Sequence, residues 1–158
     1  MTVTLWSFAS SCYPREGVAE VCLHAQDQLG ADVNMLLAAA WLAACGNCWQ
    51  GSDVDALNAL CEEWRTHCIL PLRGVRRYLK QKPAVESLYM EVKMLELNTE
   101  KLQLELIEAT LTDMSAEKRP TTAALSHNLR VYFEALPGWR PTDNTLARLI
   151  AALQPAPN

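Results

Sequence analysis

With 158 residues, half of them apolar and 20% charged, the chain is long enough to bury a core and too apolar for extended disorder. A formal charge of -4 excludes a global attraction for nucleic acid or an anionic membrane. The opening Met1-Thr2-Val3-Thr4-Leu5-Trp6 lacks the basic region and long apolar run of a secretory signal, so the expected location is the cytoplasm. Six cysteines (Cys12, Cys22, Cys45, Cys48, Cys61, Cys68) are then expected as reduced thiols.

Leu5 to Tyr13 is predicted as a first helix, with Leu5, Phe8, Ala9 and Cys12 at helical spacing and Pro14 as its stop. Glu16 to Leu29 is the second, turning Val18, Val21, Cys22 and Ala25 inward and ending at Gly30. Asp32 then caps the stretch on which the fold class rests. From Val33 to Cys45 there is no charge, most residues are good helix formers, and the helix is apolar nearly all round. Such a helix is buried on several sides, and at about 20 Å it is too short to cross a bilayer. Residues 32–45 are the expected centre.

Ser52 or Asp53 is expected to cap a fourth helix carrying Ala56, Leu57, Leu60 and Trp64. Pro71 interrupts that pattern before a further run from Leu72 to about Lys80. Pro83 opens the longest helix, Ala84 to about Thr112. This helix carries two apolar stripes. Val85, Leu88, Val92, Leu95, Leu102 and Leu106 form one, and Met90, Met94, Leu97, Leu104 and Leu111 the other. One stripe can pack on the body; the second needs more of this chain or another subunit. Ser115 to Pro120 is a predicted loop. Two further helices follow, from Thr121 or Thr122 through Leu136 and from Thr142 to Leu153. The expected fold is all-α: a single domain over 1–154, about seven helices around the buried centre, and a frayed tail over 155–158.

No Ser/His/Asp arrangement surrounds His24, His67 or His127, so no catalytic residue is assigned. Cys45-Gly46-Asn47-Cys48 has the Cys-x-x-Cys spacing, but Cys61 and Cys68 stand seven residues apart and make a poor second zinc cluster. The motif also lacks the strand-to-helix junction of a thioredoxin-like site. No metal and no cofactor is assigned.

Asp27, Asp32 and Asn34 are polar groups at the rim of the apolar centre, and Arg73, Arg76 and Arg77 are suited to approach the carboxylates. They define a candidate polar pocket, against the plainer reading of a helix cap with a structural salt-bridge network. The second stripe of the long helix, Met90, Met94, Leu97, Leu104 and Leu111, is a candidate partner interface, because Met suits adaptable surfaces. Arg65 through Lys82 is a basic segment, yet aromatic interleaving is thin and an acidic helix follows directly, which argues against a nucleic-acid surface.

Leu5-Trp6-x-Phe8-Ala9, Tyr13, Gly17-Val18-Ala19, Cys22-Leu23, Gln26-Asp27, Gly30, Asp32-Val33-Asn34-x-Leu36-Leu37 and Trp41-Leu42 resemble a family of uncharacterised proteobacterial proteins of about this length. Trp64, Pro71-Leu72-Arg73, Arg76-Arg77 and Leu79-Lys80 match its second block. The resemblance implies a small cytoplasmic bacterial protein with a helical fold, includes Asp27, Asp32, Asn34, Trp41 and the Arg73–Arg77 group in the pattern, and supplies no activity.

The leading expectation is a non-enzymatic helical interaction module, an adaptor or regulator that pairs with another protein or with itself through the long helix. The alternative is a small-molecule or anion-binding protein, or an enzyme, using the polar pocket. A nucleic-acid or ribosome-associated factor is the third reading.

Overall fold

The structure is a computed structural model that describes residues 3–114 and 117–155. Met1 and Thr2 of the opening segment, Ser115 and Ala116 of the expected loop, and residues 156–158 of the expected tail lie outside the described residues.

The least polar segment forms the centre. Helix α3 (Val33–Ala44) is buried at every position from Met35 to Ala43. Asp32 caps it, its Oδ1 accepting from the Asn34 amide at 2.8 Å. Its alanines bring neighbouring backbones close. α7 (Thr121–Glu134) runs against it with Leu125, Leu129, Tyr132 and Phe133 buried, and the Asp32 amide donates to the Tyr132 hydroxyl at 2.8 Å.

α1 (Leu5–Cys12) starts from Thr4, whose hydroxyl accepts from the Ser7 amide, and α2 (Val18–Leu29) ends at Gly30. There φ is 71°, and Gly30 and Ala31 donate back to Gln26 and Ala25 in a Schellman closure. α4 (Gly51–Trp64) is capped from Gln50, not from Ser52 or Asp53. Asp53 acts instead from the third helical position, accepting from the Gln50 amide at 2.7 Å, which is the return half of a capping box.

Pro71 does not interrupt the rod. A π-helical turn over Arg65–Ile69 connects α4 directly to α5 (Leu70–Lys80), and the Leu70 amide reaches the Arg65 carbonyl. The widened turn places Pro71 at the start of a new hydrogen-bonding register, where its missing N–H costs little. Counting this rod once, the described residues form seven helical units.

After a short 3-10 turn at Pro83–Val85 comes α6 (Glu86–Thr112), and α8 (Thr145–Leu153) closes the bundle against α2 and α7. The expected loop after α6 contains a two-residue strand, β2 (Glu117–Lys118), antiparallel to β1 (Asn47–Cys48) with Asn47 opposite Lys118. Such a short pair carries no alternation that a sequence could display.

The stripes of α6 divide differently from the expectation. Leu104 and Leu111 of the second stripe are buried with Ile107, while Met90, Met94 and Leu97 are exposed, so that stripe is no continuous partner face. Leu88, Leu95, Leu102 and Leu106 of the first stripe are all exposed. The body side of α6 begins instead with two buried polar residues, Glu96 and Gln103. Among the described residues, no helix is long and apolar enough to cross a membrane.

Candidate ligand-binding cleft

An open cleft of about 720 Å3 lies where α1, the start of α3, the π turn, α5 and the middle of α6 meet. Asp32 and Asn34 are there because the cap of α3 sits at the edge of the core. Arg65 comes from the π turn, and Arg73, Arg76 and Arg77 lie along one flank of α5. α6 contributes Lys93, Glu96, Glu100 and Gln103, with Met94, Leu97 and Leu104 as apolar lining.

Two polar networks form the cleft wall. In the first, Gln103 donates from Nε2 to Asp32 Oδ2 at 3.1 Å and accepts from Asn34 Nδ2 at 2.6 Å. In the second, Arg73 donates to Glu96 at 2.9 Å and to Glu100 at 2.9 Å, and Arg76 donates to both oxygens of Glu96. Glu96 is 5% exposed, so two guanidiniums hold a nearly buried carboxylate.

These environments push the carboxylates apart. Burial alone would raise Glu96, but Arg76 and Arg73 outweigh it and hold the group below its ordinary range. At Glu100 burial prevails over Arg73, helped by the nearby charges of Glu96 and Asp32, and the group is raised. Asp32 is also raised by burial, against the Asn34 amide, the charge of Arg65 and the Gln103 side chain. Neighbouring carboxylates shifted in opposite directions within one concavity fit the physical profile of a functional site.

Of the residues expected in a polar pocket, Asp32, Asn34, Arg73, Arg76 and Arg77 line this one cleft. Asp27 does not. It is exposed on α2, where its neighbour Gln26 takes the inward position. Sequence reasoning missed Glu96, Glu100 and Gln103 as members of the site. Their spacing of four and then three residues, which places them on one face of a helix, was the available signal. Glu96 and Glu100 there look like any solvated acidic run.

Cys45 is half-buried after α3, Cys48 and Cys61 are buried, Cys68 is half-buried in the π turn, and all six cysteines are free thiols. Among the described residues, no three His, Cys, Asp or Glu side chains gather as a metal site. His127 packs near Trp49, its Nε2 3.0 Å from the Trp49 carbonyl oxygen, away from the cleft.

Fold and site together define an all-α bundle with an open, polar-walled cleft at the edge of its central helix. Residues 4–107, which include every residue of that cleft wall, match the family described as "Protein of unknown function (DUF2390)", and the chain belongs to it. Comparison with curated proteins finds no match, and comparison with solved structures finds none either.

Proposed function

We propose that the protein binds a small anionic molecule with an apolar portion in the cleft. The observation that carries this reading is the charge imbalance of the wall. Arg65, Arg73, Arg76, Arg77 and Lys93 line the cleft with only three carboxylates, Asp32, Glu96 and Glu100. Arg73 and Arg76 are committed to Glu96 and Glu100. Arg65, Arg77 and Lys93 have no carboxylate at ion-pair distance among the described residues, so they are free to meet an incoming anion, and guanidiniums suit carboxylate and phosphate. Trp6, Leu37, Met94 and Leu97 offer the apolar wall, and the volume fits a drug-sized metabolite. Among the described residues, no His or Cys lines the cleft, so the side chains there are fitted for recognition more than for acyl transfer.

A thermal-shift series with octanoate, octyl phosphate and octylamine separates charge from chain length. Octanoate or octyl phosphate is expected to raise the Tm by a few degrees at saturating concentration, octylamine to leave it unchanged, and the Arg77→Gln/Lys93→Gln double variant to lose most of the shift. An equal shift with octylamine, or none with either anion, overturns the reading.

A second reading, a helical interaction module, is favoured by the exposed leucines and methionines of α6. We propose the bacterial cytoplasm as its location, a reading supported by the six free thiols, which suit a reducing compartment.

A further inference from the structure

Hydrogen bonds within the cleft wall leave a defined set of polar atoms open. Asp32 accepts from the Asn34 amide through Oδ1 and from Gln103 Nε2 through Oδ2. A carboxylate only accepts, so it turns the nitrogen of the Gln103 amide toward itself. Gln103 Oε1 is thereby turned to Asn34 and takes Asn34 Nδ2 at 2.6 Å, with the Glu100 carbonyl oxygen 3.5 Å from the same nitrogen. Asn34 Oδ1 is the end left over, without a partner among the described residues and not sealed in the core.

Two further groups of the cleft are open in the same way. Glu100 gives Oε1 to Arg73 at 2.9 Å, while its Oε2 and the Tyr13 hydroxyl have no hydrogen-bond partner among the described residues. Burial raises the Tyr13 hydroxyl above its ordinary range and the Glu100 charge adds to it, so the two groups stand within electrostatic reach. Arg65 lines the cleft near Asp32 without an ion-pair contact. Arg76 meets Glu96, and Arg73 reaches Glu100 one turn further along α6, so α5 and α6 run antiparallel past the cleft. Arg77 and Lys93 therefore lie toward the α5–α6 turn, and Asn34, Glu100 and Tyr13 at the inner end. Lys93 and Glu100 are about 10 Å apart along the helix, with the apolar Met94 and Leu97 between them.

We propose that the inner end is a hydroxyl-reading subsite, and that the ligand class is an aliphatic hydroxy acid whose hydroxyl lies far from its anionic head. The subsite rests on the anion reading of the cleft and adds a second point of recognition. The balance of open groups selects a hydroxyl. It can donate to Asn34 Oδ1 or Glu100 Oε2 while accepting from the Tyr13 hydroxyl or Arg65. An ammonium only donates, and would stand beside Arg65 and Arg73. A second carboxylate only accepts, and would stand beside Asp32 and Glu100. A plain apolar chain end would cover these atoms without pairing them, which is how a site built for a hydroxyl rejects the analogue lacking one.

Isothermal titration calorimetry on the full chain at neutral pH compares octanoate with its ω-hydroxy, α-hydroxy and ω-amino derivatives and with octanedioate. ω-Hydroxyoctanoate is expected to bind about tenfold tighter than octanoate, the gain of one well-made hydrogen bond. α-Hydroxyoctanoate, whose hydroxyl lies beside the head, is expected to match octanoate, and the two compounds with a charged far end to bind no tighter. Tyr13→Phe and Asn34→Leu are each expected to cut the ω-hydroxy advantage to about threefold or less, with octanoate affinity held within about twofold. Tyr13→Phe removes no hydrogen bond of the fold, so it reads the ligand alone even where Asn34→Leu lowers stability. Four results each overturn the subsite while the anion cleft stands: equal affinity for octanoate and its ω-hydroxy derivative, an equal gain from the α-hydroxyl, a charged far end that binds tightest, or an advantage that survives both variants. No binding by any of the acids overturns the anion cleft and the subsite together.

Discussion

Asn128 is fully buried in α7 and divides its side chain among three elements. Its Oδ1 accepts from the Trp49 amide at 3.1 Å, while Nδ2 donates to the Ala39 carbonyl at 3.2 Å and the Asn47 carbonyl at 3.0 Å. The Asn128 carbonyl also takes the Trp49 indole N–H at 2.8 Å. One amide thereby fixes the middle of α3, strand β1 and α7 to one another. Asn128→Ala leaves buried groups unpaired and is expected to cost about 3 kcal/mol, read as a lower urea midpoint with an unchanged m-value. Asp32 has two roles that substitution can separate. Asp32→Ala removes both the cap and the acceptor for Gln103 and is expected to cost about 1–2 kcal/mol. Asp32→Asn keeps a capping oxygen and removes the buried charge, so at neutral pH it is expected to fall within about 0.5 kcal/mol of the wild type. A loss as large as that of Asp32→Ala would mean that the ionised carboxylate itself holds α3 in place.

At the level of elements, the sequence was most legible where one physical effect dominates. The all-round apolar character of Met35–Ala43 announced a buried helix, and Gly30 announced its turn because φ of 71° favours glycine. Gly30→Ala is accordingly expected to cost about 1 kcal/mol, measurable by thermal unfolding, although nothing lies within 4 Å of an added Cβ. Legibility failed where two effects compete. Pro71 reads as a break, yet a π turn absorbs it. On α6, periodicity reveals two stripes but not which one meets the body, and the polar Glu96 and Gln103 made the true buried face look solvated. The cleft was half visible for the same reason. Asp32, Asn34 and the arginines stand out beside an apolar run, whereas their partners on α6 are polar residues among many polar residues. Only tertiary pairing distinguishes Glu96, nearly buried under two guanidiniums, from Glu105, half-exposed beside Lys101.

For the whole molecule, the half-buried acids of the cleft and the nearly buried Glu96 predict the shape of the pH–stability curve. Glu100 and Asp32 are raised in the folded state, so the native protein holds their protons more tightly than the unfolded chain does. Stability therefore rises as pH falls through their folded values, and this gain is complete below the ordinary values, 4.5 for Glu and 3.8 for Asp. Glu96 acts in the opposite sense. Its folded value is depressed, so its contribution is present above 4.5 and is lost as pH falls through the folded value. Alkaline conditions bring in the thiols. Burial pushes Cys22 and Cys61 up to about 12 from an ordinary 9.0, so the unfolded chain ionises first and stability declines as pH rises above 9. The expected curve is a dome with its maximum on the acid side of neutral and a steep alkaline limb, traced by Tm in a constant-ionic-strength buffer series. Glu100→Gln is expected to flatten the limb between the maximum and neutrality, and Cys22→Ala/Cys61→Ala to soften the alkaline limb. A maximum that stays at or above neutrality in the wild type would mean that Glu100 and Asp32 ionise in the fold as readily as they do in water. Ligand would then meet a wall whose carboxylates are fully charged, and the cationic excess that favours an anion would be at its smallest.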